Sequence, residues 1–166
     1  CPICGVVLHK KDDPEKEVAS AISYVEMVEI NLLERSHFQW VDLFVDDLSF
    51  YSGGFNAWAG VFCIGDDWIA VGGNEETTAR LLLRSDRIQC FAAADDWLNI
   101  HETNDTAHRS QSWLQEQPTS RQLAALPPKY RLDFNLTRYR ASALIGFSWN
   151  KPAIHKILAR CEDTHF

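Results

Sequence analysis

The sequence has no Gly-x-x-x-x-Gly-Lys-Ser/Thr loop to cradle a nucleotide phosphate, and no strand ending in Asp-Glu to hold magnesium. No local motif arranges Ser, His and Asp, or Cys and His, for nucleophilic attack. The chain therefore shows no catalytic machinery of its own. No apolar run nears the roughly 18 residues that cross a bilayer, and no basic-then-apolar leader is read, so no membrane partner is expected. Internal repeats and low-complexity tracts are also lacking. Cysteine is sparse and odd in number, five in 166 residues. Cys63 in "VFCIG" and Cys90 in "IQCFAAA" stand singly in apolar stretches, as reduced, buried thiols do. This pattern predicts a reducing, cytoplasmic setting.

Positive charge is scarce too, but unevenly. Residues 1–116 hold eight Lys/Arg against twenty Asp/Glu. Residues 117–160 hold eight Lys/Arg (Arg121, Lys129, Arg131, Arg138, Arg140, Lys151, Lys156 and Arg160) and one acid, Asp133. So sharp a split suggests two jobs on one chain. The basic part can face a polyanion such as nucleic acid, or dock on the acidic part or on an acidic neighbour. Charge alone leaves both open.

Apolar residues are plentiful, 46% of the chain, with six tryptophans and nine phenylalanines. That suffices for one domain with a small appendage, without disulfide staples. "VVLHKKDDPEKEVAS" is charge-dense and reads as a linker. "YVEMVEINLL" alternates in part and predicts a strand. "HFQWVDLFVD" puts Val41, Leu43 and Val45 on one face and Phe38, Trp40, Asp42 and Phe44 on the other, again a strand period. Gly53-Gly54 breaks one run. Gly65-Asp66-Asp67 sits between "AWAGVFCI" and "WIAV" as a short hairpin loop, and Gly72-Gly73-Asn74 ends the next run. "ARLLLRSDRIQCFAAA" reads as further strand around a turn at Ser85-Asp86. Trp40, Phe44, Trp58, Phe62 and Trp97 are assigned to the core.

From Asp95 the period lengthens, giving a helix, a turn at Thr103-Asn104-Asp105 and a second helix. Thr119 and Gln122 form a Thr-x-x-Gln capping box at the start of "TSRQLAAL", which Pro127-Pro128 ends. A largely buried helix starts at Thr137, and Asn150 caps a last helix whose Ile154, Ile157, Leu158 and Cys161 share a stripe. The expected fold is α+β: an antiparallel meander of about five or six strands over residues 21–94, then a helical cluster over 95–166 that is basic from 117 to 160.

Residues 1–20 carry the strongest chemical signal. "CPICG" places Cys1 and Cys4 on one tight turn, half of a tetrahedral structural zinc site. Two closures stay open. A second pair ahead of Cys1 is the favoured reading, which makes this segment a zinc-knuckle remnant. Alternatively Cys161 and His165 return to it with an acceptable Cys-x-x-x-His spacing. "HETNDTAH", with His101, Glu102, Asp105 and His108, tempts as a metal or acid–base cluster, but the Thr-Asn-Asp turn makes helix ends and caps the preferred reading.

"MVEINLLERSHFQWVDLF", "GFNAWAGVF", "AAADDWLNIHET" and above all "TSRQLAALPPKYRLDFNLTRYRASALIGFSWNKPAI" resemble the C-terminal region of bacterial superfamily 2 DEAD/DEAH-box helicases, relatives of the RadD-like DNA repair helicases. The most specific block is Thr119, Gln122, Leu126, Leu136, Thr137, Ala141 and Ser142. The resemblance implies an upstream motor that uses ATP and magnesium, a zinc knuckle completed ahead of Cys1, and a non-catalytic accessory domain facing single-stranded or forked DNA. Phosphate contacts would fall to the eight cations named above. Tyr130, Tyr139 or Trp149 could stack on unpaired bases, although core packing is the preferred reading of Tyr139 and Trp149. The alternatives are a protein-interaction domain for a repair or replication partner and a free-standing metal-binding protein.

Overall fold

The computed structural model describes residues 35–131 and 133–162. The chain divides into two compact units, Cys1–Glu34 and Arg35–Phe166, and every described residue lies in the second. Cys1, Cys4, the linker, the strand expected at 24–33, and His165 lie outside the described residues.

Five strands form one antiparallel sheet in sequential order: β1 (Val41–Asp42), β2 (Ser49–Gly53), β3 (Ala57–Ile64), β4 (Asp67–Asn74) and β5 (Arg80–Ser85). The β3–β4 hairpin turns where the glycine-aspartate signal placed it. Gly65 sits there at φ 61°, which a side chain would disfavour.

Register assigns the two faces. Tyr51 pairs with Gly60, which pairs with Val71, and Phe62 pairs with Ile69. With Trp58, these side chains point to one face and join a large buried cluster. Phe50 pairs with Val61, which pairs with Ala70, and Ala59 pairs with Gly72, so these point to the other. Ala59, Ala70 and Gly72 keep part of that second face small, which lets a helix approach closely. Helix α1 (Arg87–His101) fills it with Cys90, Phe91, Ala94, Trp97 and Leu98. The Phe50 and Phe91 rings meet edge to face at 5.0 Å. A Cβ on Gly72 would lie 2.7 Å from the Trp97 indole, so the glycine is what admits the tryptophan.

Here the sequence expectation needs correction. Residues 88–94 are helical, and Asp86 is the N-cap, its carboxylate accepting from the Gln89 N–H at 2.9 Å. A short apolar run such as "IQCFAAA" has no decisive period by itself, and the tertiary face it meets decides its state.

Two 3₁₀ turns, Asp105–Ala107 and Ser112–Gln115, lead to α2 (Ser120–Ala125), α3 (Pro128–Arg131) and α4 (Arg138–Glu162). The two residue spans expected as a second helix and a separate last helix both change. The first is reduced to 3₁₀ turns, and the second merges into one 25-residue α4 that runs through Pro152. Asn150 does not cap. Its Nδ2 donates to the Gly146 carbonyl at 3.0 Å and to the Tyr51 hydroxyl at 3.2 Å. Pro152 lies on the exposed side, where the Ser148 carbonyl it leaves without a helical donor can meet water, while Ile154 and Cys161 stay buried.

Helix α4 covers the aromatic face of the sheet, with Phe147 against Tyr51 and Phe62. Tyr139 is 1% exposed, and its hydroxyl joins three strands of chain. It donates to the Gln39 carbonyl at 2.6 Å, accepts from the Gly53 N–H at 3.2 Å, and lies 3.1 Å from Ser52 Oγ. Burial pushes this phenol up to about 12, against a smaller lowering by Ser52.

The first strand is much shorter than its alternation suggested. Asp42 ends it by accepting from the N–H groups of Phe44, Val45 and Asp47 at 3.2, 2.9 and 2.9 Å. Val45 and Asp47 both take φ 61°, in the left-handed region. Phe44 is consequently 48% exposed and leaves the core to which alternation assigned it. Arg87 grips Asp47 with two bonds of 2.7 Å, which holds that carboxyl below the usual carboxylate range. Trp58, Phe62 and Trp97 are buried as expected, and Trp40 is half-buried with its ring edge-on to Phe91.

Candidate nucleic-acid interface

The capping box formed as read. Gln122 Oε1 accepts from the Thr119 N–H at 2.9 Å, and the Gln122 N–H donates to Thr119 Oγ1 at 3.2 Å. The same side chain then reaches α4, donating to Ser142 Oγ at 2.8 Å and the Arg138 carbonyl at 3.2 Å. Leu126, Leu136 and Ala141 of the same block are buried. These residues are thus a packing signature that clamps α2 on α4, which keeps the start of α4 fixed beside the sheet.

Between the sheet edge and α4 lies a cavity of about 480 Å³. Its walls are the β2–β3 turn (Phe55, Asn56), Trp58 of β3, the end of β4 (Asn74) with Glu75, and Trp149 and Asn150 of α4. Trp149 is 78% exposed, which overturns its reading as a core residue. Glu102 fixes the turn that forms one wall. It is 5% exposed, and its carboxylate accepts from the N–H groups of Asn56, Ala57 and Asn104 at 2.7, 3.2 and 2.9 Å. A Cβ on Gly54 would fall 1.9 Å from this carboxylate, so glycine is required there.

The rest of "HETNDTAH" serves packing. His101 stacks on Trp97 with centroids 3.6 Å apart, and its Nδ1 lies 2.9 Å from the Trp97 carbonyl. His108 stacks on His37 at 5.4 Å. Among the described residues no three His, Cys, Asp or Glu side chains gather as a metal-binding group. Cys161 is buried on α4, and the residues expected to join it in a zinc site are outside the described part.

The eight cations divide by what they already hold. Arg131 donates to the Leu126 and Ala124 carbonyls at 2.9 and 3.2 Å and so caps α2. Arg138 pairs with Glu116 at 2.6 Å, and Arg140 lies 3.9 Å from Asp133. Lys129 sits over the half-buried Tyr130 ring, 4.6 Å from its centroid. Arg121, Lys151, Lys156 and Arg160 are exposed and make no hydrogen bond or ion pair with the described residues. At 100° per residue, Trp149, Lys156 and Arg160 fall within about 40° of one another around α4, a single solvent-facing stripe that begins at the cavity mouth. The ion pairs of Arg84 with Asp67 in the sheet, and of Arg87 at the start of α1 with Asp47 in the β1–β2 loop, use none of the eight.

Sequence reading missed the cavity. It marked Gly53-Gly54 and Gly72-Gly73-Asn74 as strand ends, but only the register, with Gly53 opposite Trp58 and Ala57 opposite Asn74, brings the two breaks together.

No curated protein and no solved structure matches the chain. A family described as the mitochondrial helicase Irc3, C-terminal domain, matches residues 16–162. The match spans the whole described sheet, the capping-box clamp and the full length of α4. The chain belongs to the family of the C-terminal domain of the mitochondrial helicase Irc3, an accessory helicase domain of α+β architecture.

Proposed function

We propose that this domain holds DNA, single-stranded or forked, for an ATP-driven superfamily 2 motor and turns over nothing itself. The observation that carries the reading is the exposed stripe of Trp149, Lys156 and Arg160 on a helicase accessory domain, with Arg121 a further exposed cation on α2. Cations without internal partners gain most from phosphate, because nothing must be broken to release them. Arg131, Arg138 and Arg140 have structural work and rank lower as contacts. The zinc knuckle at Cys1 and Cys4 and the RadD-like lineage belong to the same proposal, supported by the Cys-x-x-Cys spacing and the Thr119–Ser142 block. So does the cytoplasmic setting, supported by Cys63 and Cys90 standing singly in apolar stretches of the sequence. ATP and magnesium act in the motor.

The test is binding of labelled single-stranded and forked DNA to the chain and to Lys156→Ala/Arg160→Ala. Binding that weakens roughly tenfold or more in the double variant is expected. A second reading, protein docking, is favoured by the exposed apolar loop of Phe44, Val45 and Leu48 beside a groove of about 320 Å³. Indifference to every DNA tested would favour it.

A further inference from the structure

We infer that the cavity beside Trp149 receives one unpaired nucleobase. The inference rests on the nucleic-acid reading above and deepens it. At about 480 Å³ the cavity falls in the roughly 300–1,000 Å³ range of small-ligand sites. No Lys or Arg lines it, and Glu75 does, so a phosphate or carboxylate is poorly matched there. Four of its lining side chains are aromatic, Tyr51, Phe55, Trp58 and Trp149, of which Phe55 is 57% and Trp149 78% exposed. Such rings stack on any base.

The polar groups left over are mixed in sign. Asn74 Oδ1 accepts from the Glu76 and Thr77 N–H groups at 3.1 and 2.7 Å, which leaves its Nδ2 to donate. Asn150 Nδ2 is spent on Gly146 and Tyr51, which leaves Oδ1 to accept. Asn56 Nδ2 donates to Thr103 Oγ1 at 2.8 Å, which leaves its Oδ1. Asn74 Nδ2 as a donor and the Asn150 and Asn56 Oδ1 atoms as acceptors, beside aromatic rings, match the edge of a base, which carries both kinds. An apolar side chain would leave all three without partners. Trp149 and Lys156 are seven residues apart, about 10 Å along α4, or roughly three stacked nucleotides at ~3.4 Å each. A strand whose phosphates follow the cations can therefore turn a base into the cavity mouth.

The experiment compares fluorescence anisotropy of a labelled single-stranded oligonucleotide with that of an abasic backbone of the same length, at one salt concentration, on the whole 166-residue chain. The intact oligonucleotide is expected to bind roughly 5- to 150-fold more tightly than the abasic one. Trp149→Ala should erase that difference and leave abasic binding unchanged, Trp149→Phe should keep much of it, and Lys156→Ala/Arg160→Ala should weaken both alike. Trp149 is exposed, so its loss does not endanger the fold. Equal binding of intact and abasic strands, or equal weakening of both by Trp149→Ala, would overturn the base site while leaving the phosphate contacts standing. No binding of either strand would overturn both and leave the cavity to a protein side chain.

Discussion

Glu102 shows how one buried carboxylate can hold a site wall without taking part in chemistry. Three backbone N–H groups converge on it, and the turn at Asn56 and Ala57 that it holds lines the cavity. Glu102→Gln replaces an acceptor oxygen with a donor that faces N–H groups. A loss of about 1–3 kcal/mol is expected in urea unfolding, and a shift in midpoint of zero would show that the carboxylate is idle. Tyr139 gives a pH signature. An unfolded tyrosine releases its proton near about 10, whereas the buried Tyr139 holds its own up to about 12. Between these values the unfolded chain binds fewer protons than the folded one, so stability falls as pH rises through the window and is unaffected below it. Tyr51 is raised as well, chiefly by burial, and adds to the slope. Between pH 9 and pH 11 the unfolding free energy in urea should fall further for the parent protein than for Tyr139→Phe, by roughly 1.4 kcal/mol over the whole interval. Identical falls would place the Tyr139 phenol in contact with water.

The capping box at Thr119 starts one element, whereas the proline in α4 sits inside another without ending it. Thr119→Ala removes an N-cap that also orients Gln122 toward α4, and should destabilise by about 1 kcal/mol in thermal melts. Pro152→Ala restores a backbone donor inside a 25-residue helix. It should stabilise by about 1–3 kcal/mol. Destabilisation would mean that the proline bends α4 to fit the sheet. These two elements also mark what was legible in the sequence. The capping box was readable because both partners are local, three residues apart. The hairpin at Gly65 was readable for the same reason. The state of residues 88–94 was not, because Ala59, Ala70 and Gly72, which make room for α1, are distant in sequence. Phe44 escaped because a side-chain turn at Asp42 overrides an alternation that otherwise continues through Val45. The continuity of α4 was hidden by a proline that propensity treats as a stop.

For the molecule as a whole, charge asymmetry was visible in the sequence but its meaning was not. Eight cations in one segment look alike until partners are known. The fold then commits Arg131 to helix carbonyls and Arg138 and Arg140 to Glu116 and Asp133, and leaves Arg121, Lys151, Lys156 and Arg160 facing solvent. A helicase C-terminal region could be sensed in the Thr119–Ser142 block, though not the Irc3 family itself; the cavity could not, since it needs the strand register. The measurement that bears most directly on a DNA-holding role is the salt dependence of single-stranded DNA affinity, for the parent chain and for Lys156→Ala/Arg160→Ala. Each phosphate contact on a single strand contributes about −0.7 to the slope of log K against log salt. The parent chain should show a steep slope, and the double variant one shallower by about 1.4. A flat parent slope, or one the double variant leaves unchanged, would contradict a nucleic-acid face on α4.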